Sequence, residues 1–324
     1  MTPATRALVT GAGGFIGHHL AASLKQRGCW VRGVDIKPPA YAPTAADEFI
    51  LADLRDPENA LAAMSGITEV YALAADMGGM DFIAANAAAI LHNNTLIDVN
   101  TLEAARIHCV RRCLYTSSAC VYPAWRQQDP NVSPLKEADA HPADPPDAYG
   151  WEKLFAERMC AEAGEAHGID VRIVRLHNVF GPLGTWEGGR EKAPAAICRK
   201  VAEAKLAGRA DIEIWGDGEQ TRSFCYVDDC VEGIHRVMRS SCREPLNLGQ
   251  DRLISINALV DLVARIAGVT VRRNHVPGPQ GVRGRNSDNR RLREVLRWEP
   301  SVSLEVGLER TYAWIEQQVG AVTS

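Results

Sequence analysis

Seven residues, Gly11-Ala12-Gly13-Gly14-Phe15-Ile16-Gly17, restrict what this chain can fold into more than any other stretch. They follow Ala7-Leu8-Val9-Thr10, an apolar run that reads as a buried strand, and lead into a helical pattern over Leu20 to Gln26. Glycines at 11, 14 and 17 permit a tight turn, close approach of backbone amides to a pyrophosphate, and close packing of helix on strand. Phe15 and Ile16 belong to the same turn. A second strand, Trp30 to Val34, ends at Asp35, whose carboxylate can accept hydrogen bonds from an adenosine ribose and repels a 2′-phosphate. NAD is therefore expected rather than NADP. The plainer alternative is ordinary turn glycines with Asp35 capping a loop.

Further strands at Glu69 to Ala72, Arg112 to Ser117 and Val171 to Leu176 alternate with helical patterns. That order predicts βαβ units and a Rossmann-type doubly wound parallel sheet. One helix is expected over Asn93 to Ile107, with Leu96, Val99, Leu102 and Ala105 on its covered side. A Pro-rich loop, Asp139 to Pro146, leads into a helix over Ala148 to Ala163. Later come helices at Asn257 to Ile266 and Leu304 to Gln318, with a Gly- and Arg-rich loop over Gly278 to Asn289. We assign 1–177 and 217–247 to the NAD-binding domain. Residues 178–216 and 248–324 are assigned to a smaller mixed α/β lobe for a nucleotide sugar.

Composition excludes several classes. Hydrophobic residues at 46% and charged ones at 23% suit a packed globular chain. A net charge of −4 supplies no field for nucleic acid or anionic membrane, and no apolar run approaches the roughly 20 residues of a membrane span. Nothing at the amino terminus reads as a secretion signal, and nine cysteines without a C-x-x-C pair suit neither a disulfide framework nor a zinc site. A cytoplasmic protein without metal is expected.

Tyr149 and Lys153 stand at i and i+4 where the Pro-rich loop enters a helix, so they share a face. An ammonium beside the phenol, with a cationic nicotinamide, is expected to lower the tyrosine pKa and let the phenolate take a hydroxyl proton. Such a pair also arises by chance on exposed helices. Here Tyr115-Thr116-Ser117-Ser118-Ala119-Cys120 ends a strand where a sheet's ligand cleft opens. The set resembles the extended short-chain dehydrogenase/reductases, which implies that Ser118, Tyr149 and Lys153 oxidise a sugar hydroxyl. Asp53-Leu54 resembles that superfamily's adenine-contacting pair, though alone it reads equally as a surface turn.

Further motifs narrow the resemblance. Ala75-Asp76-Met77-Gly78-Gly79-Met80, Gly188 to Ala196, Trp215 to Phe224 and Gly281 to Asn289 look like the GDP-mannose 3,5-epimerase family over nearly the whole chain. The resemblance implies that Cys120 and Lys192 are the acid/base pair flanking the sugar. It also implies that Gly78, Ser118, Ala119, Asn178, Glu191 and Ala193 line the nucleotide-sugar site, with Lys200, Gln220 and Thr221 beyond them. Arg222 and Arg285 are the expected phosphate ligands, since a guanidinium binds two phosphate oxygens at once. Relatives are commonly homodimers. Where the family's plant members usually carry glycine, this chain has Asp81. A 4-epimerase or 4,6-dehydratase on another nucleotide hexose, and a non-catalytic NAD-binding regulator, are the competing readings. Cys120 with Lys192 speaks against the first two, the intact Ser118, Tyr149 and Lys153 against the third.

Overall fold

Strand and helix alternate from the beginning: β1 (Arg6–Thr10), α1 (Phe15–Gln26), β2 (Trp30–Asp35), β3 (Glu48–Leu51), α2 (Pro57–Met64) and β4 (Glu69–Ala72). A helix pair follows, α3 (Met80–Ala85) and α4 (Ala87–Ile107), then β5 (Arg112–Ser118), α5 (Ala148–His167) and β6 (Asp170–Leu176). Shorter elements come next: β7 (Val179–Phe180), α6 (Ala193–Leu206), β8 (Asp211–Trp215), β9 (Thr221–Arg222) and β10 (Cys225–Tyr226). The chain then runs through α7 (Val227–Arg239), β11 (Leu246–Leu248), β12 (Ile254–Ser255), α8 (Ile256–Ala267), β13 (Arg272–Val276), β14 (Gly284–Arg285), α9 (Arg290–Leu296) and α10 (Leu304–Thr323). This computed structural model describes residues 5–279 and 281–323. The expectation about a leader falls partly on the first four residues, outside that range.

Seven strands form one parallel sheet in the order β11-β6-β5-β4-β1-β2-β3. After β1 the chain builds outward through β2 and β3, then crosses to the other side of β1 with β4. That reversal opens a crevice at the carboxyl ends of β1 and β4, where open α/β sheets bind ligands. Leu8, Val31, Val70, Leu114 and Ile173 are all at most 2% exposed, because helices cover both faces and the strands need no polar side.

The helix expected from Asn93 begins at Ala87, and of its expected covered side Leu102 and Ala105 are buried while Val99 is not. Val99 is 39% exposed, and the polar Asn94, Asp98 and Thr101 are buried beside Leu102 and Ala105. Counting only apolar residues missed the polar part of that side, where Asn94 and Asp98 are drawn inward by partners on α5 and β5.

Segments assigned by sequence to the lobe pair across long separations. β8 pairs in parallel with β13, and β9 lies between β12 and β14. Thr221–Arg222, grouped by sequence with the NAD-binding segment, therefore joins lobe strands, while α7 and β11 that follow return to the main sheet. Gly284–Arg285 makes a strand inside the stretch expected to be loop.

Candidate active site

At the turn after β1, Gly11 has φ +72°, and a Cβ on Gly17 would stand 2.1 Å from the Gly11 carbonyl oxygen. Glycine at both positions lets α1 sit directly on the turn. The helix starts at Gly14 with no side-chain cap, leaving its first amides for an anion. Phe15 lies against Gly184, and Ile16 is packed at the edge of the core. Asp35 accepts from the Gly13 amide at 3.0 Å and the Lys37 amide at 3.2 Å, which fixes its carboxylate over the turn, although burial raises its pKa. This cradle fits a dinucleotide with a free ribose hydroxyl pair. Asp53 is gripped by the Arg55 guanidinium, with Nε 3.0 Å from Oδ1 and 2.9 Å from Oδ2, while Leu54 is buried in the core.

Asp147 caps α5 by accepting the Gly150 amide at 2.8 Å, an interaction worth about 1 kcal/mol. A Cβ on Gly150 would stand 2.2 Å from the Cys120 carbonyl oxygen, so glycine here lets the helix start press against the turn after β5. The result is that Tyr149, 7% exposed, packs with Cys120, Ile83 and Ile90. Burial pushes the Tyr149 phenol up, while Lys153 and a hydrogen bond with Ser118 pull it down, the direction expected of the ammonium.

Lys153 is itself enclosed by acidic and hydroxyl groups. Its ammonium donates to the Tyr115 hydroxyl at 2.8 Å and lies 3.4 Å from Glu152 and 3.6 Å from Asp98. Burial alone lowers its pKa, but the two carboxylates reverse this and hold it above the usual lysine value. Asn94 donates to Glu152 at 3.1 Å and accepts the Asp76 amide at 2.6 Å, tying the cluster to the loop before α3. Sequence reasoning missed Asn94, Asp98, Tyr115 and Glu152. Their signal was present only as Glu152 beside Lys153 and polar residues one helical turn apart at 94 and 98.

In front of these groups lies a cavity of about 970 Å³, walled by Ser118, Ala119, Cys120, Lys192 and Ala193 among others. Cys120 is 6% exposed in a short 3-10 turn capped by Ser118, whose hydroxyl accepts the Cys120 amide at 3.1 Å. Lys192 starts α6 from the other side. The residue is exposed and lines the cavity, and the protein packed around it lowers its pKa, with Cys120 opposing and Arg285 adding to the fall. A thiol and an amine on different elements thus face one space.

Gly78, Asp81, Asn178, Glu191, Lys200, Gln220, Arg222 and Arg285 also line the cavity; Thr221 does not. Its hydroxyl instead donates to the Pro130 carbonyl. Gly78 makes room for the Phe82 ring, 2.8 Å from where a Cβ would stand. Asn178, at φ 38°, holds the Ser223 carbonyl, and Glu191 is occupied by Arg199 at 2.9 Å. Burial lowers the Arg222 pKa and the charge of Arg285 lowers it further. Two guanidiniums in mutual repulsion on one wall are relieved by an anion between them.

Residues 7–249 match the model of the NAD dependent epimerase/dehydratase family. The chain is 48% identical over 316 residues to GDP-mannose 3,5-epimerase 1 of Oryza sativa subsp. japonica, covering 97% of this chain and 82% of that one. It is 48% identical over 313 residues to GDP-mannose 3,5-epimerase of Arabidopsis thaliana, covering 96% and 82%. Among solved structures, UDP-glucose 4-epimerase from Thermotoga maritima with UDP-glucose matches with TM-score 0.86 at 25% identity, over 97% of this chain and 100% of that one. This chain belongs to the NAD dependent epimerase/dehydratase family, and within it to the family of the GDP-mannose 3,5-epimerases.

Proposed function

We propose that this protein epimerises GDP-mannose at carbons 5 and 3 in the cavity between the sheet and the lobe, giving GDP-L-galactose, GDP-L-gulose or both. The observation that carries the reading is the meeting of Cys120 and Lys192 on one cavity in front of Ser118, Tyr149 and Lys153.

NAD, held at Gly11 to Gly17 and Asp35, supplies a hydride acceptor and donor for carbon 4. Tyr149 takes the proton of the carbon 4 hydroxyl, with Ser118 orienting that oxygen and Lys153 supporting the phenolate. The ketone acidifies the neighbouring C–H bonds, so each can be broken by a base on one face and remade by an acid on the other through an enediolate. Cys120 and Lys192 are that pair. Return of the proton from Tyr149 at carbon 4 closes the cycle. Arg222 and Arg285 hold the diphosphate.

The protein acts as a homodimer, paired through α4 and α5. These helices pack together, and Leu91, Val99, Trp151 and Phe155 are exposed on them at 39%, 39%, 47% and 56%. Nine free cysteines suit the reducing cytoplasm, and no helix among the described residues is long and apolar enough to cross a membrane.

The test is incubation of the protein with GDP-mannose in deuterated water. Solvent deuterium should enter at carbon 5 and then at carbon 3. Turnover to an unlabelled carbon 4 epimer would overturn the reading.

A further inference from the structure

Lys153 and Tyr149 share one face of α5, yet no hydrogen bond joins them among the described residues, and the ammonium lies 5.6 Å from the centre of the Tyr149 ring. What Tyr149 feels from Lys153 is therefore a field, which depends on every charge packed around the ammonium. Two of those charges are acids that hydride and proton transfer do not use. Asp98 on α4 and Glu152 on α5 lie 3.6 and 3.4 Å from the ammonium. Together with Tyr115 and Lys153 they form a closed cluster in which every residue is at most 6% exposed.

With both acids ionised the cluster is one hydrogen short. The Tyr115 hydroxyl accepts from Lys153 at 2.8 Å and lies 2.7 Å from Asp98 and 3.4 Å from Glu152. A phenol has a single hydrogen to give, and a carboxylate can only accept. Both contacts are satisfied when one of the acids keeps a proton and donates it. Charge leads to the same count, because one ammonium balances one carboxylate and a second enclosed negative charge is costly. Burial accordingly raises the Asp98 carboxyl, with Lys153 opposing and Glu152 adding to the rise. The other titratable neighbours are neutral at working pH, since burial pushes up the thiols of Cys113 on β5 and Cys160 on α5. The side chains that α2, α3 and β4 bury toward α4 are apolar.

We propose that Asp98 and Glu152 are positioning residues that hold one proton between them, and so set the charge through which Lys153 readies Tyr149 for the carbon 4 hydroxyl. This rests on the proposed role of Tyr149 at carbon 4 and adds a control on it. With the proton in place, the ammonium and its two acids are neutral together. When that proton leaves to solvent the cluster carries one negative charge, which opposes a phenolate at Tyr149. Beyond the effect of burial, Lys153 lowers the Tyr149 phenol and Glu152 raises it, so charges in the cluster reach the ring. Asn94 keeps Glu152 in place by donating to it at 3.1 Å while accepting the Asp76 amide at 2.6 Å.

The test is the pH profile of kcat/KM for GDP-mannose, read as solvent deuterium entering the sugar, because that ratio reports ionisations of the free, NAD-loaded protein. Asp98→Asn removes one carboxylate at nearly constant shape, and Glu152→Gln removes the other. Each leaves one carboxylate against the ammonium, so each should move the rising limb down by about one pH unit, the effect of one charge at about 10 Å in an effective dielectric constant of about 20. Either single variant alone gives the sign of the shift. The double variant leaves the ammonium unopposed and should move the limb down by about as much again. Damaged packing lowers the whole profile and does not order four proteins by charge. If wild type labels GDP-mannose and the limbs coincide, or the variants move them up, the role of the pair is overturned while the epimerase reading stands. If wild type does not label GDP-mannose at any pH, both fall together.

Discussion

Arg285 donates through Nη1 to the Cys120 sulfur across 3.2 Å, while Gln127 accepts its Nε at 2.6 Å. One guanidinium, expected from sequence only as a phosphate ligand, thus also holds the proposed acid/base thiol. Gln127 is itself fixed by donating to the Tyr122 and Pro123 carbonyls at 2.9 and 3.2 Å. On the proposed reading, binding of a diphosphate and placement of the thiol share a part.

We predict that Gln127→Leu, which does not touch the cavity, slows proton exchange at carbons 5 and 3 by about ten- to a hundredfold through misplacement of Arg285 and Cys120. Formation of NADH at carbon 4 should be far less affected. Equal slowing of both, followed by absorbance and solvent deuterium in one sample, would show that Arg285 does not position the thiol.

Tyr149→Phe removes one hydroxyl from a packed site and should leave bound NAD in the purified protein. Turnover should fall by about a hundred- to ten-thousandfold, the usual contribution of a positioned proton-transfer group. Wild-type-like turnover in this variant is the outcome that rejects the assignment.

Cys120→Ala and Lys192→Arg should both form NADH with GDP-mannose yet incorporate little solvent deuterium. Arginine serves as the sharper probe at 192, because burial lowers the lysine toward proton exchange, while a guanidinium keeps its proton. Normal labelling in both variants, read by mass spectrometry, excludes them as the pair.

Burial pushes the Asp98 carboxyl up to about 7 from an ordinary 3.8, with Lys153 opposing and Glu152 adding to the rise. The folded protein therefore binds this proton more tightly than the unfolded chain. Its stabilising contribution is complete below 3.8 and is lost as pH rises through about 7. Urea midpoints should accordingly fall between about pH 4 and pH 8 by more in wild type than in Asp98→Asn. Parallel midpoint curves for the two proteins would count against a raised Asp98.

Asp35→Ser should raise NADP affinity relative to NAD by at least about tenfold, since the carboxylate now fixed by the Gly13 and Lys37 amides no longer repels a 2′-phosphate. Calorimetry with both dinucleotides measures the ratio, and an unchanged preference assigns NAD selection elsewhere.

Local signals carried most of the sheet. Gly11 to Gly17 needs only neighbours within one turn, so spacing was enough to locate it, and the alternation of apolar runs with helices fixed a parallel order. What spacing did not carry was the inward polar face of α4. Asn94 and Asp98 look like solvent residues until Tyr115, Glu152 and Lys153 arrive from β5 and α5. The rise of the Tyr149 pKa was hidden for the same reason, being a property of enclosure rather than of the Tyr-Lys interval. Thr221 likewise shares a run with Gln220 and Arg222, yet strand alternation in β9 turns it away from the cavity toward Pro130.

The interleaved path of the lobe has an evolutionary corollary. β8 finds its partner β13 only after the chain has gone back to lay down α7 and β11, and β9 waits for both β12 and β14. No single contiguous segment therefore encodes this wall of the cavity. A chimera exchanging 178–216 alone would join a foreign β8 to a resident β13. New substrate preference on this scaffold is thus reached more readily by point changes on walls that already exist than by shuffling blocks.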